Sequence, residues 1–213
     1  MDERRVKELL TRAGAFGNGH FVFTTGVHSA TYINKDAVFT RTRITDELCK
    51  MFALAFDKDN VEVVAAPEKG AIVLGQGVAR WLEHWRTLSS RPEVLSVYAD
   101  KLEGGGFIFK RGYAQHIPNK RVLVIEDQLT SGGSAKRTVE AVKTLGGIVV
   151  GVGALNNGGV TAEDLGVTKL VTLLSIRQQT FAPHECPMCR DSVPINTDMG
   201  HGKEFLARQR APA

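Results

Sequence analysis

Two adjacent acids and a short loop of small residues stand together in the second half of the chain. Glu126 and Asp127 are followed by the loop Thr130-Ser131-Gly132-Gly133-Ser134. Carboxylates accept hydrogen bonds from sugar hydroxyls or bind hydrated Mg2+. A glycine-containing loop that leads into a helix exposes backbone N–H groups, which suit a phosphate together with the Ser and Thr hydroxyls. The stretch therefore indicates a ligand that carries a phosphate, a ribose and a metal ion.

The segments around this stretch predict how it is positioned. Val122 to Ile125 form an apolar run without alternation, which is typical of a strand buried on both faces, although a core helix segment gives the same pattern. Further apolar runs at 61–66, 94–98, 148–155 and 169–176 alternate with segments of helical spacing. This order predicts an α/β fold with a parallel sheet, right-handed crossovers and a site at the carboxyl ends of the strands.

The sequence Val-Leu-Val-Ile-Glu-Asp-Gln-Leu-Thr-Ser-Gly-Gly-Ser resembles the phosphoribosyl-pyrophosphate (PRPP) signature of type I phosphoribosyltransferases. The resemblance implies that family's fold, with helices on both faces of the sheet. It implies that Glu126 and Asp127 hold the ribose hydroxyls and that residues 130–134 bind the 5′-phosphate. A generic strand-to-helix turn is the alternative. The implied reaction transfers 5-phosphoribosyl from PRPP to a ring nitrogen of a base and releases diphosphate, with Mg2+ at PRPP and the Asp127 region.

Basic residues after two other strands resemble the family's diphosphate contacts. Lys69 precedes glycine in the turn Pro67-Glu68-Lys69-Gly70, as in the family's pyrophosphate loop, and Lys101 matches a lysine that follows the next strand. Lys110 and Arg111 are further PRPP-binding candidates, on a loop that closes over the substrate in family enzymes. The alternative for this region is a hairpin with solvated basic ends.

A segment near the N-terminus resembles the hood that roofs the base in orotate phosphoribosyltransferases. It runs from His20 to Asp36 and implies that Thr25, Tyr32 and Lys35 bind the base, with a plain surface hairpin as the alternative. We expect one domain over 1–213, with a hood at about 14–40 and 177–205 around a core at about 41–176. The family resemblance also implies a homodimer.

The chain departs from the family pattern at Gln128 and at the pair Asn156-Asn157. Gln128 stands where an aliphatic residue is usual, and Asn156-Asn157 stands where orotate enzymes usually place Asp-Arg, the arginine holding the base carboxylate. We expect Asn156 to contact the base through its amide. Orotate is the favoured base, and another pyrimidine, a purine, or a PRPP-sensing regulator without turnover remain open.

A Cys-x-x-Cys pair marks the C-terminal segment. We expect an ordinary reduced cysteine pair. A Zn2+ site formed by Cys186 and Cys189 with the nearby His184 and His201 is the alternative, followed by redox chemistry. A metal-organised interaction module is a further hypothesis for the whole protein.

Composition indicates a globular, cytoplasmic protein. The net charge of +4 is mild and the basic residues are dispersed, so the sequence predicts an anionic substrate rather than nucleic-acid binding. We expect no signal peptide and no membrane-spanning segment. The 3 cysteines do not form a disulfide framework, which favours a reducing compartment.

Overall fold

A mostly parallel β-sheet forms the centre of the structure, a computed structural model that describes residues 2–86 and 93–210. The elements, in chain order, are α1 (Glu3–Ala13), β1 (Phe16–Val22), β2 (His28–Ile33), α2 (Lys35–Phe39), α3 (Thr42–Phe56), β3 (Val63–Pro67), α4 (Ile72–Arg86), β4 (Leu95–Lys101), β5 (Phe107–Ile108), β6 (Arg121–Leu129), α5 (Gly133–Thr144), β7 (Ile148–Asn157), β8 (Leu170–Leu174), α6 (Pro187–Arg190) and α7 (Gly202–Arg210).

The sheet has the strand order β5-β4-β3-β6-β7-β8. All neighbouring pairs from β4 to β8 are parallel, and only the short β5 runs antiparallel to its neighbour β4. From β3 the chain adds β4 and then β5 on one side of the sheet, and from β6 it adds β7 and then β8 on the other side. The carboxyl ends of β3 and β6 therefore border the crevice where open α/β sheets bind ligands. The predicted α/β fold with a parallel sheet is confirmed.

Both faces of the sheet are covered, which explains the apolar runs without alternation. On β6, Leu123 and Ile125 pack into a core with α1, α3 and α4, whereas Val122 and Val124 pack into a second core with α5. All four side chains are fully buried. Within the described ranges, no helix is both long and apolar enough to cross a membrane.

The N-terminal hairpin of β1 and β2 contacts the C-terminal segment. The backbones of His28 and Phe181 exchange two hydrogen bonds of 2.8 Å, and the Asn196 N–H donates to the His20 carbonyl at 2.7 Å. The His201 N–H donates to the Val22 carbonyl at 2.8 Å. Residues from both halves of the sequence thus meet beside the sheet.

Candidate functional site

The two acids lie on β6 beyond the point where this strand leaves β3. Pairing with β3 ends at Val124, opposite Ala65, whereas pairing with β7 continues to Leu129. The strand therefore extends past the acids, which we had expected at its end. Both acids are buried, with Glu126 4% and Asp127 5% exposed.

Asp127 is surrounded by groups from two other parts of the chain. Its Oδ2 atom lies 2.6 Å from Nζ of Lys35, the first residue of α2. Asn34 caps this helix by accepting the Ala37 N–H at 3.3 Å, which fixes where Lys35 emerges. A Cβ atom on Gly70, in the turn after β3, would lie 1.7 Å from the same oxygen. The N-terminal segment, the Lys69 turn and β6 therefore converge on one carboxylate.

Burial disfavours the ionised form of Glu126, the first acid of the pair. Burial raises the pKa of Glu126 well above its ordinary value, and the negative charge of Asp127 raises it further. For Lys35, burial lowers the pKa, but the attraction and hydrogen bond of Asp127 outweigh this effect and the net pKa is raised. Oε1 of Glu126 accepts the Asp127 N–H at 2.9 Å, while its buried Oε2 atom has no hydrogen-bond partner among the residues that the structure describes. That oxygen is left for a ligand to satisfy.

The small-residue loop leads directly into helix α5. Gly132 precedes the helix with φ +74, and a Cβ there would lie 2.9 Å from the Val160 side chain, so only glycine fits without strain. No side chain caps the helix, and Thr130 and Ser131 are exposed. The N–H groups of the first turn and these hydroxyls suit a phosphate.

The sequence interpretation missed Arg137 beside this loop. A Cβ on Gly133 would lie 3.2 Å from Nη1 of Arg137, and within the described part of the chain the buried Nε of Arg137 has no hydrogen-bond partner. The available signal was its position one turn into α5, on the side that returns to the loop. This guanidinium adds positive charge where we expect the phosphate.

The turn after β3 is tied to the end of β4. Oε1 of Glu68 accepts the Lys101 N–H at 2.7 Å, and the Glu68 N–H donates to the Ala99 carbonyl at 2.9 Å. Lys69 and Lys101 are both exposed. The structure therefore places the two predicted diphosphate-binding lysines at the ends of neighbouring strands.

Lys110 and Arg111 lie farther out. Phe107 of β5 pairs with Lys101, which is the hairpin arrangement rather than an open loop. Nη1 of Arg111 lies 3.6 Å from Oδ2 of Asp100, and its guanidinium stacks over the Tyr98 ring at 5.5 Å. These contacts hold Arg111 against β4, and β3 separates β4 from the acid pair on β6.

The predicted base-binding residues of the hairpin occupy different environments. Thr25 is exposed at the tip, in a turn closed by the Phe23 N–H and the Val27 carbonyl at 2.9 Å. Tyr32 stacks on Phe21 with 5.4 Å between ring centroids, and burial raises the pKa of its hydroxyl. Tyr32 therefore stays a neutral phenol that can donate a hydrogen bond.

Asn156 is a buried structural amide in this structure. Its Nδ2 donates to Oε1 of Gln128 at 3.2 Å and to the Ile176 carbonyl at 3.1 Å, and its Oδ1 accepts the Ile176 N–H at 3.0 Å. Both amide protons are used and the residue is 1% exposed, so these contacts do not favour the predicted role in base binding. The two departures from the family pattern, Gln128 and Asn156, are thus partners in one cross-strand contact.

The predicted zinc ligands are corrected in part. Cys186 and Cys189 lie close to His20 and His28, and not to the histidines we had expected. The His184 side chain is 79% exposed and approaches Glu185, whereas the His201 side chain is 50% exposed and approaches Glu204. Proximity in sequence suggested His184 and His201, but the contact between hairpin and C-terminal segment brings in the other pair.

The fold and the site together define a class of protein. A parallel sheet with an acid pair and a glycine loop at one strand end, and a lysine turn at its neighbour, is the type I phosphoribosyltransferase arrangement. Structural comparison agrees. The orotate phosphoribosyltransferase of Mycobacterium tuberculosis H37Rv, solved with Fe(III) dicitrate, superposes with a TM-score of 0.64 at 22% identity, covering 83% of this chain and 97% of that one. The same enzyme solved with PRPP gives a TM-score of 0.58 at 21% identity, over 82% of this chain and 89% of that one.

Sequence comparison identifies the family within this class. The orotate phosphoribosyltransferase of Desulforamulus reducens is 34% identical over 194 residues, which covers 91% of this chain and 95% of the relative. That of Thermotoga maritima is 31% identical over 197 residues, covering 92% and 98%. The chain belongs to the orotate phosphoribosyltransferase family. No protein-family model matches it.

Proposed function

We propose that this protein transfers the 5-phosphoribosyl group from PRPP to orotate, which forms orotidine 5′-monophosphate and releases diphosphate. The observation that carries the proposal is the convergence on Asp127 of the acid pair, the Lys69 turn and the N-terminal segment. The phosphate loop follows on the same strand. Membership of the family supports orotate as the acceptor.

The proposed mechanism is electrostatic. Breaking the bond between C1′ and the diphosphate oxygen leaves a positively charged ribosyl group and a strongly negative leaving group. Lys69 and Lys101 take up charge on the diphosphate, while Glu126 and Asp127 accept hydrogen bonds from the ribose hydroxyls and stabilise the positive ring. The loop 130–134 holds the 5′-phosphate so that C1′ stays aligned with the base nitrogen.

The residues present fit a Mg2+ ion that enters with PRPP. The buried Glu126 Oε2 atom, without a hydrogen-bond partner, and the Asp127 carboxylate are oxygen acceptors of the kind that bind hydrated Mg2+. When bound, Mg2+ would offset negative charge on the diphosphate. Lys69 and Lys101 would offset further charge from the protein side, while Glu126 and Asp127 would hold the ribose hydroxyls.

Lys35 forms an ion pair with Asp127. Its ammonium lies where a ribose hydroxyl has to approach, at 2.6 Å from Oδ2. We propose that PRPP displaces this ion pair and that the freed ammonium turns toward the base. This exchange keeps the buried carboxylate neutralised until the sugar arrives.

Orotate requires a cation for its carboxylate, and this chain has asparagines at 156 and 157 instead of the family's arginine. Lys35 is one cation near the predicted base site. Arg177 is an exposed cation that follows Ile176, the residue that the Asn156 amide holds two positions beyond the end of β8. We propose that Arg177 replaces the missing arginine, so Arg177→Ala should lower kcat/KM for orotate more than for uracil.

One observation favours a second function, a PRPP sensor without turnover. Both acids are buried, and Asp127 is already paired with the Lys35 ammonium. The test incubates the protein with PRPP, Mg2+ and a panel of pyrimidine and purine bases while released diphosphate is measured. We expect turnover with orotate. Turnover with another base alone would reassign the acceptor, and PRPP binding without diphosphate release with any base would support the sensor.

We further propose that the hairpin and the segment at about 177–205 form a hood over the base, and that the protein is a homodimer. The backbone hydrogen bonds between His28 and Phe181 support the hood. Light scattering coupled to gel filtration tests the dimer, and a monomeric mass at assay concentration would contradict it.

A further inference from the structure

Four side chains with metal-binding atoms meet at the contact between the hairpin and the C-terminal segment. His20 lies on β1 and His28 begins β2. Cys186 directly precedes α6, and Cys189 lies within it. Their ligand atoms all lie within 4.8 Å of one another. The proposed phosphoribosyl transfer uses none of these four groups, so their convergence needs a separate explanation.

The distances between the ligand atoms suit a tetrahedral metal ion. Nε2 of His20 lies 3.6 Å from Sγ of Cys186 and 3.7 Å from Sγ of Cys189, and Nδ1 of His28 lies 3.3 Å from Sγ of Cys189. Bonds of about 2.3 Å to sulfur and about 2.0 Å to nitrogen place tetrahedral ligand atoms about 3.3–3.8 Å apart. The two ring nitrogens are closer, at 2.7 Å, so a bound ion would separate the imidazoles slightly.

The surroundings orient one ligand and bury three of the four ligand residues, while Cys189 is exposed. Nδ1 of His20 lies 2.8 Å from the Val193 carbonyl, which makes it the donor and leaves the lone pair of Nε2 aimed at the cluster. His20, His28 and Cys186 are at most 2% exposed. Two thiolates balance the charge of a divalent ion, so the occupied site carries no net charge into this buried position.

We propose that His20, His28, Cys186 and Cys189 bind one structural Zn2+ ion. Two thiolates and two imidazoles in tetrahedral array are a donor set that suits zinc, and four protein ligands leave no position for a catalytic water. The ion links groups that are 166 residues apart in the chain, between His20 and Cys186. It therefore fastens the C-terminal segment to the hairpin that carries Thr25 and Tyr32.

The first test measures metal in untagged protein purified without added metal and passed through metal-free buffer. We expect about one zinc per chain by mass spectrometry of the metal. Removing zinc and adding Co2+ should give the visible absorption bands of tetrahedral cobalt and a thiolate-to-cobalt charge-transfer band in the near ultraviolet. This spectrum uses the wild-type chain and needs neither activity nor a variant that folds.

A matched pair of histidine variants locates the ion. His20→Asn should lose the zinc and the cobalt bands, whereas His184→Asn, which removes an exposed histidine next to the cysteine pair, should keep both. Cys189→Ser should lose the thiolate band. Absence of zinc and of cobalt bands in the wild type, retention of zinc by His20→Asn, or a Cys186–Cys189 disulfide in the purified protein would each overturn the proposal.

Discussion

Replacing Gly70 with alanine tests whether the Lys69 turn and Asp127 form one site. The new Cβ would lie 1.7 Å from Oδ2 of Asp127 and 2.8 Å from its Cγ, where ordinary contacts begin at 3.4 Å. Asp127 is buried and short, so either the carboxylate or the turn must move. A displacement of about 1 Å at a reacting group costs on the order of 100-fold, so we expect kcat/KM to fall at least about 100-fold.

The assay follows orotidine 5′-monophosphate formation at saturating Mg2+, with circular dichroism to confirm the fold. Gly14→Ala is the control, because Gly14 ends α1 with φ +72 and a Cβ there meets nothing within 4 Å. It should cost stability but little activity. In an Asp127→Ala background, Gly70→Ala should cause little further loss of Tm, since the opposing carboxylate is gone. Wild-type kcat/KM in the Gly70→Ala single variant would refute the convergence of these groups.

Three further predictions follow from the same geometry. The pKa of Glu126 is raised in the folded state, so the native protein binds more protons than the unfolded chain above about pH 4.3, and stability falls as the pH rises toward the folded pKa. Glu126→Gln should therefore reduce the loss of Tm between pH 5 and pH 8, and an unchanged loss would contradict the shift. Lys69→Ala and Lys101→Ala should each lower kcat/KM by about 10- to 100-fold, the value of a charge-assisted hydrogen bond, with Tm unchanged within about 2 °C. A normal kcat/KM in both would remove these lysines from the diphosphate site. Asn156→Ala should lower the free energy of unfolding by about 1–3 kcal/mol, because it leaves the Ile176 N–H unpaired. The Asn156→Ala variant should keep the wild-type preference between orotate and uracil. An altered preference would support a contact between Asn156 and the base.

The sequence predicted the elements that depend on local pattern. The apolar runs at 61–66 and 122–125 correspond to Val63–Pro67 and the first part of Arg121–Leu129, since strands buried on both faces need continuous apolar residues. The parallel direction of neighbouring strands followed from the alternation of strands and helices, because parallel neighbours require crossover connections. The roles predicted for individual side chains in binding PRPP and base stay predictions.

Contacts between distant segments could not be predicted. The ion pair between Lys35 and Asp127 joins the start of α2 to β6, and no periodicity in either segment specifies the other. The same applies to His20 and His28, which approach the cysteines only because the C-terminal segment returns to the hairpin. Asn156 appeared available because a strand end usually faces a ligand, but its amide is used by Gln128 and Ile176. Such pairings depend on three-dimensional packing rather than on residue type and spacing.

Calorimetric titration with PRPP tests the central claim most directly. Wild-type protein should bind PRPP in a Mg2+-dependent manner, and Asp127→Asn should weaken binding by about 10- to 100-fold, since a hydrogen bond to a charged group is worth about 1.5–3 kcal/mol. Heat of binding that is absent with the wild type, or identical in the Asp127→Asn variant, would contradict the assignment of this carboxylate to the ribose of PRPP.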